Sequence, residues 1–186
     1  MKGIMFTEAM FKAVISGDKT QTRRICKTQP KHNVYQHAGL FWDGEIAIKP
    51  RYKVWEKLYL KEPYYIDNDG FTYYKYNPHV IMDYEPKKWY NKLFMPAKYA
   101  RYFIQIEGVR CERLQDISYK DCFKEGIKSR VTAVPPYELI YQIPNNPNYY
   151  YTSQQAYADL IDSINGKGTW QSNPYVFVYD FILSKS

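Results

Sequence analysis

Apolar and polar positions along the chain change their period several times, and each change marks an element. Lys2-Gly3-Ile4-Met5-Phe6 reads as a short strand. Thr7 follows as an N-cap, and Met10, Phe11 and Val14 then recur at helical spacing. That pattern predicts a helix through Ser16, with Phe6 and Phe11 at the staple positions and Gly17 as its stop. The return from Gly17 to Ile25 carries three threonine or isoleucine side chains that favour extended backbone, and it predicts a strand. In a strand, Lys19, Gln21 and Arg23 would face one way and Thr20, Thr22 and Arg24 the other. Lys19 and Thr22 could then meet one ligand only across a turn or bulge.

Residues 27–53 are rich in Pro, His, Asn and Gly, with a hairpin turn predicted at Phe41-Trp42-Asp43-Gly44-Glu45-Ile46. Lys57-Leu58-Tyr59-Leu60-Lys61 alternates like a strand and stops at Glu62-Pro63. Tyr64 to Tyr90 reads as a hairpin followed by an irregular loop. Arg101 to Val109 predicts a long strand, extended to Leu114 past a bulge at Gly108. Ser118 caps a short helix, with Ile117 and Cys122 as its staple and Gly126 closing it. Glu125 falls at the C-terminal end of that helix, where the macrodipole disfavours a carboxylate, so a partner cation or a function is expected there. Four prolines in residues 130–152 argue for an exposed loop. A helix from Ser153 carries Tyr157, Leu160, Ile161 and Ile164 on one side and ends at Asn165-Gly166-Lys167-Gly168. Tyr175 to Ile182 is apolar on both faces and predicts a central strand. Many short strands with three helices predict one α+β domain over residues 1–186, a small mixed β-barrel with flanking short helices and insertions at about 64–92 and 130–152.

Composition sharpens this picture. Tyrosine is abundant, with 21 in 186 residues, and its amphipathic ring suits strands and contact surfaces alike. The net charge of +7 comes from residues 1–61, which hold 12 Lys and Arg against 5 Asp and Glu. A basic segment beside many aromatic rings suits nucleic acid or another anion, and equally a solubilising face. No run approaches the ~18–20 apolar residues of a membrane helix, and no secretory pattern opens the chain, so a soluble cytoplasmic protein is expected. Cys26, Cys111 and Cys122 form no C-x-x-C pair and read as small core residues. His32, His37 and His79 lack ligand-spaced partners, so neither a metal site nor a cofactor is expected.

Gly17-Asp18-Lys19-Thr20-Gln21-Thr22-Arg23-Arg24 resembles the G-x-K-x-x-T-x-R signature of the ASCH domain family, in the PUA-like superfamily. Three further blocks resemble the larger phage and prophage-type members. They are Lys57 to Glu62; Phe94-Met95-Pro96 through Arg113-Leu114-Gln115-Asp116-Ile117-Ser118 to Glu125-Gly126-Ile127; and Ser163 to Trp170 with the closing strand. Trp55-Glu56, Pro63-Tyr64 and Tyr99 depart from the residues usual there.

The resemblance implies a PUA-like barrel with a cleft beside the first helix, binding RNA or a modified nucleoside. In one similar branch the reaction is removal of the acetyl group from N4-acetylcytidine, and its catalytic lysine, threonine and glutamate fall on Lys19, Thr22 and Glu125. Those residue types suit amide hydrolysis, which needs a nucleophile, proton transfer and a cation at the developing oxyanion. Lys19 and Glu125 suit an ion pair between loop and helix as well. Arg23 and Arg24 are candidates for a phosphate grip, Glu62 for a base-edge contact and Trp170 for a stacking platform. A tyrosine-rich surface that engages a protein partner is the third possibility.

Overall fold

The computed structural model describes residues 1–37, 39–76, 86 and 88–184. His79 and much of the loop expected before Tyr90 lie outside the described residues. The first strand, β1 (Lys2–Met5), runs into helix α1 (Glu8–Ile15), where Thr7 Oγ1 accepts from the Met10 amide as the expected cap. Met10, Phe11, Ala13 and Val14 are buried on one face of α1. Each large apolar side chain so buried contributes about 1.5–3 kcal/mol.

The following strand, β2, spans only Gln21–Ile25. Residues Gly17 to Thr20 form a turn instead, opened by Gly17 at φ 81°. The strand parity expected from Gly17 onward therefore does not reach Lys19. A small antiparallel sheet follows, β3 (Val34–His37), β4 (Leu40–Asp43) and β5 (Ile46–Ile48), with its second turn at the predicted Asp43-Gly44 position. Next come β6 (Lys57–Lys61) and the tyrosine-rich hairpin β7 (Tyr64–Ile66) and β8 (Thr72–Tyr74). The long strand β9 (Phe103–Arg113) keeps its pairing past Gly108, where the register shifts as a bulge. After it stand α2 (Tyr119–Lys124), hairpin β10 (Lys128–Val131) and β11 (Leu139–Gln142), α3 (Ser153–Asn165), one turn of helix α4 (Thr169–Ser172) and β12 (Tyr175–Ser184).

The main sheet is mixed and five-stranded, in the order β1-β6-β9-β12-β2. As its apolar sequence predicts, β12 is internal, with Tyr175 to Tyr179 all buried. The fold is α+β. The expected closed barrel is not formed, because among the described residues no ladder joins edge strand β1 to edge strand β2. A side chain spans that seam instead: Arg24 Nη2 on β2 donates to the Met5 carbonyl at 2.8 Å, with its guanidinium 5.3 Å from the Phe6 ring centre. Among the described residues no helix is long and apolar enough to cross a membrane.

Candidate active-site cavity at the sheet seam

The turn before β2 is tied at two points, Lys19 N to the Ala13 carbonyl at 2.9 Å and Thr20 N to the Lys124 carbonyl at 2.9 Å. The second bond draws the turn against the end of α2, where Ser118 caps the start and Gly126 at φ 98° ends the helix. Glu125 is thereby placed beside Lys19 although 106 residues separate them. Lys19 Nζ donates to Glu125 Oε2 at 2.6 Å and to the Glu125 carbonyl at 2.8 Å. Arg23 Nη1 donates to the other carboxylate oxygen at 3.1 Å. The cation expected at Glu125 is thus two cations, and both are buried.

Burial holds the Lys19 ammonium below the ordinary lysine value, against the opposing pull of Glu125. Burial also acts against the Arg23 guanidinium, but Glu125 and Glu112 outweigh it and hold Arg23 above its usual value. Arg23 Nη2 donates to Glu112 at 2.7 Å and to Asp121 at 3.2 Å, and Nη1 also reaches Gln21 Oε1 at 2.5 Å. Gln21 in turn donates to Asp180 and Asp121, and Arg110 donates to Glu112, Asp121 and Asp180. This network fixes the charged floor of the site with few groups left to move.

A cavity of about 210 Å³ opens at the seam between β1 and β2. Lys19, Thr22, Arg23, Arg24 and Glu125 line its polar side, and Phe6, Met10, Tyr157 and Leu160 are among its apolar walls. Lys19 and Thr22 reach the same space because Lys19 sits in the turn and Thr22 in the strand, which is the break in periodicity that the sequence required. Lys19 uses two of its three N–H donors on Glu125.

The remaining expected site residues fall elsewhere or act differently. Both terminal nitrogens of Arg23 are engaged by internal carboxylates and the Gln21 side chain, and its side chain is at 0% exposure, so it does not offer a surface grip for a phosphate backbone. Glu62 is buried away from the cavity lining, where Arg101 Nε and Nη2 donate to its two oxygens at 2.7 and 2.8 Å. Tyr74 and Tyr102 flank that guanidinium at 4.3 and 4.9 Å, so the Glu62 carboxylate is occupied by Arg101 beside an aromatic cluster. Trp170 is half-buried, its amide on Asp162 and its ring edge-on to Tyr157 at 6.2 Å, which makes it a wall behind the cavity. Cys26 and Cys122 are core residues and Cys111 is half-buried, while His32 pairs with Asp43. Tyr157 is the cavity residue that the sequence offers only as part of a helical apolar stripe. Its signal was a phenol within a row of aliphatic side chains.

Gly126 ends α2 on a positive φ against its neighbours. A Cβ there would meet Met10 Sδ at 3.4 Å and Lys19 Cβ at 3.6 Å, on a φ that L side chains rarely adopt. Gly126→Ala should therefore lower unfolding stability by about 1–2 kcal/mol in denaturant titration. A variant as stable as the parent would show that this turn is not strained.

Comparison with protein-family models, curated proteins and solved structures finds no match for this chain.

Proposed function

We propose that this chain is an ASCH-type domain of the PUA-like class that takes the base of a modified nucleoside, free or within RNA, into the seam cavity. The observation that carries the reading is the convergence of Lys19, Thr22, Arg23, Arg24 and Glu125 on one cavity. Buried ion pairs are weak sources of stability, because desolvation offsets much of their attraction. Three buried charges lining one cavity are better accounted for by a site that needs them. The mixed sheet with short helices packed on it supports the class, with the seam standing where a closed barrel would have a ladder. Isothermal titration with N4-acetylcytidine, cytidine and a short single-stranded RNA should give saturable binding to at least one of them, weakened about tenfold or more in Arg24→Ala. Absence of binding to all three would overturn the reading.

A second reading, an amidohydrolase of an acylated nucleoside, is favoured by one feature. Lys19 is a lysine held below its ordinary value, 2.6 Å from a carboxylate oxygen and beside a hydroxyl residue in the same cavity. The attacking oxygen would be a water at the Thr22 hydroxyl, adding to the acyl carbonyl carbon while its proton passes to the Lys19–Glu125 pair. The C–N bond then breaks, the departing exocyclic amine takes that proton, and the acid and the free nucleoside are released. A lysine with lowered proton affinity is suited to carry a proton both ways. Arg24, whose guanidinium is held below its ordinary value chiefly by burial, remains cationic and stabilises the developing oxyanion.

A further inference from the structure

Charge at the seam cavity does not balance. Four cations line it, Lys19, Arg23, Arg24 and Lys92, against one carboxylate, Glu125. Glu125 is shared by Lys19 and Arg23, and Arg23 has Glu112 and Asp121 besides. Arg24 and Lys92 rest on backbone carbonyls instead, Arg24 Nη2 on Met5 at 2.8 Å and Lys92 Nζ on Phe6 at 2.6 Å. Among the described residues neither of them forms an ion pair. Their two carbonyls are successive in the chain, so one short stretch at the end of β1 holds both cations.

Depth separates the two sets of charges. Lys19, Arg23 and Glu125 are 3%, 5% and 3% exposed and make the floor. Arg24 and Lys92 are half-buried, and Met5 and Ile25 beside them in the lining are each 37% exposed, so this side is the mouth. Lys92 is brought there by the short turn Lys92–Phe94, which the Asn91 side chain caps and Lys61 Nζ ties to β6 through the Leu93 carbonyl at 2.7 Å. Its ammonium makes one strong bond, to Phe6, and reaches Tyr76 Oη only at 3.5 Å, which leaves N–H capacity for a ligand. Burial holds both cations below their ordinary values. Glu8, the acid that acts on Lys92, is bonded to Lys12, and Arg51 adds a like charge near Arg24.

We propose that the ligand of the seam cavity carries a phosphate monoester, met at the mouth by Arg24 and Lys92. The inference rests on the nucleoside reading and adds the charge its ligand brings, which makes that ligand a nucleotide with a terminal phosphate. A phosphate monoester carries close to two negative charges at neutral pH and matches two cations, whereas a carboxylate or an internal phosphodiester carries one. Two half-buried cations without an acid are only partly compensated until such a group arrives. The guanidinium and the ammonium then each meet phosphate oxygens in charge-assisted bonds.

The test is titration calorimetry of the parent, Lys92→Gln and Lys92→Arg with cytidine, cytidine 5′-monophosphate and ribose 5-phosphate, beside thermal unfolding of each protein. Glutamine removes the charge and keeps a donor for the Phe6 carbonyl. The expected result is binding of the nucleotide at least about tenfold tighter than the nucleoside, an advantage that Lys92→Gln loses and Lys92→Arg keeps, with cytidine affinity and Tm unchanged. Equal binding of nucleotide and nucleoside by the parent would overturn the inference and leave the nucleoside reading standing. A nucleotide advantage unchanged in Lys92→Gln would overturn it as well. So would a lowered Tm with loss of every ligand in both variants, which assigns Lys92 to the fold. Binding of the nucleotide and the sugar phosphate without cytidine would uphold the phosphate site and remove the base from the nucleoside reading. A parent that binds none of the three would remove both.

Discussion

Lys19→Ala should reduce turnover of N4-acetylcytidine by about a thousandfold, with the loss in kcat and the binding of the nucleoside changed far less. Proton transfer by a positioned group is worth roughly 10²–10⁴ in rate, and Lys19 is a cavity lysine whose proton affinity burial has lowered and which sits 2.6 Å from the Glu125 carboxylate. The fold should survive the change. Glu125 keeps its bond from Arg23 at 3.1 Å, so its carboxylate is not left bare. The check is steady-state kinetics followed by chromatography of the released cytidine, beside a thermal unfolding curve of the same preparation. Undiminished turnover in Lys19→Ala would exclude it as a proton carrier, and a parent without turnover would leave the cavity as a binding site only.

Arg23→Met should be the most destabilising single change in the site, lowering unfolding stability by about 3–5 kcal/mol. Its guanidinium donates to Glu125, Glu112, Asp121 and Gln21 with no exposed side-chain surface, and methionine fills similar space without a single donor. The cost comes from the carboxylates left behind. Glu125 would retain Lys19 and Asp121 would retain Arg110, but each would lose a charge-assisted bond in low dielectric. Acid behaviour should change with it. Burial raises the Asp121 carboxyl, yet Arg110 and Arg23 outweigh that and hold it below the ordinary carboxylate range. A depressed carboxylate lends stability that is fully present above its unfolded value near ~3.9 and is lost as the pH falls through its folded value. Urea titrations from pH 7 downward should show this acid-side fall in the parent and a shallower one in Arg23→Met. Parallel curves with equal midpoints would mean that the network contributes little to the folded state.

The local elements were legible where one short stretch of chain decides them. Thr7 and Ser118 cap their helices because a side-chain oxygen meets an amide three residues on, a relation contained within a single turn. The internal place of β12 followed from apolar side chains on both of its faces. The segment before β2 departs from its local pattern for the opposite reason. Its threonines favour extended backbone, but Gly17 and the bond from Thr20 to Lys124 bend it into a turn. That second bond reaches more than a hundred residues along the chain, beyond any local pattern.

The site divides the same way. Lys19, Thr22 and Glu125 were candidates from residue type and the motif they resemble, and the cavity gathers all three. Glu62 and Trp170 carried the same kind of promise, and packing gave them other partners, Arg101 for one and Tyr157 with Asp162 for the other. Tyr157 passed as one more member of a helical apolar stripe, since periodicity records which face is buried and not whether a buried hydroxyl finds a partner. By itself the sequence determined the caps, the strand and helix periods, the basic first third and a short set of residues with chemistry. Only the tertiary structure decided that β1 and β2 stay unpaired, that Arg23 points into a network of carboxylates, and that Arg24 and Lys92 line the seam cavity on backbone carbonyls. Those outcomes depend on which groups meet across distant parts of the chain, where the cost of leaving a charge or donor bare chooses among arrangements that the local pattern permits equally.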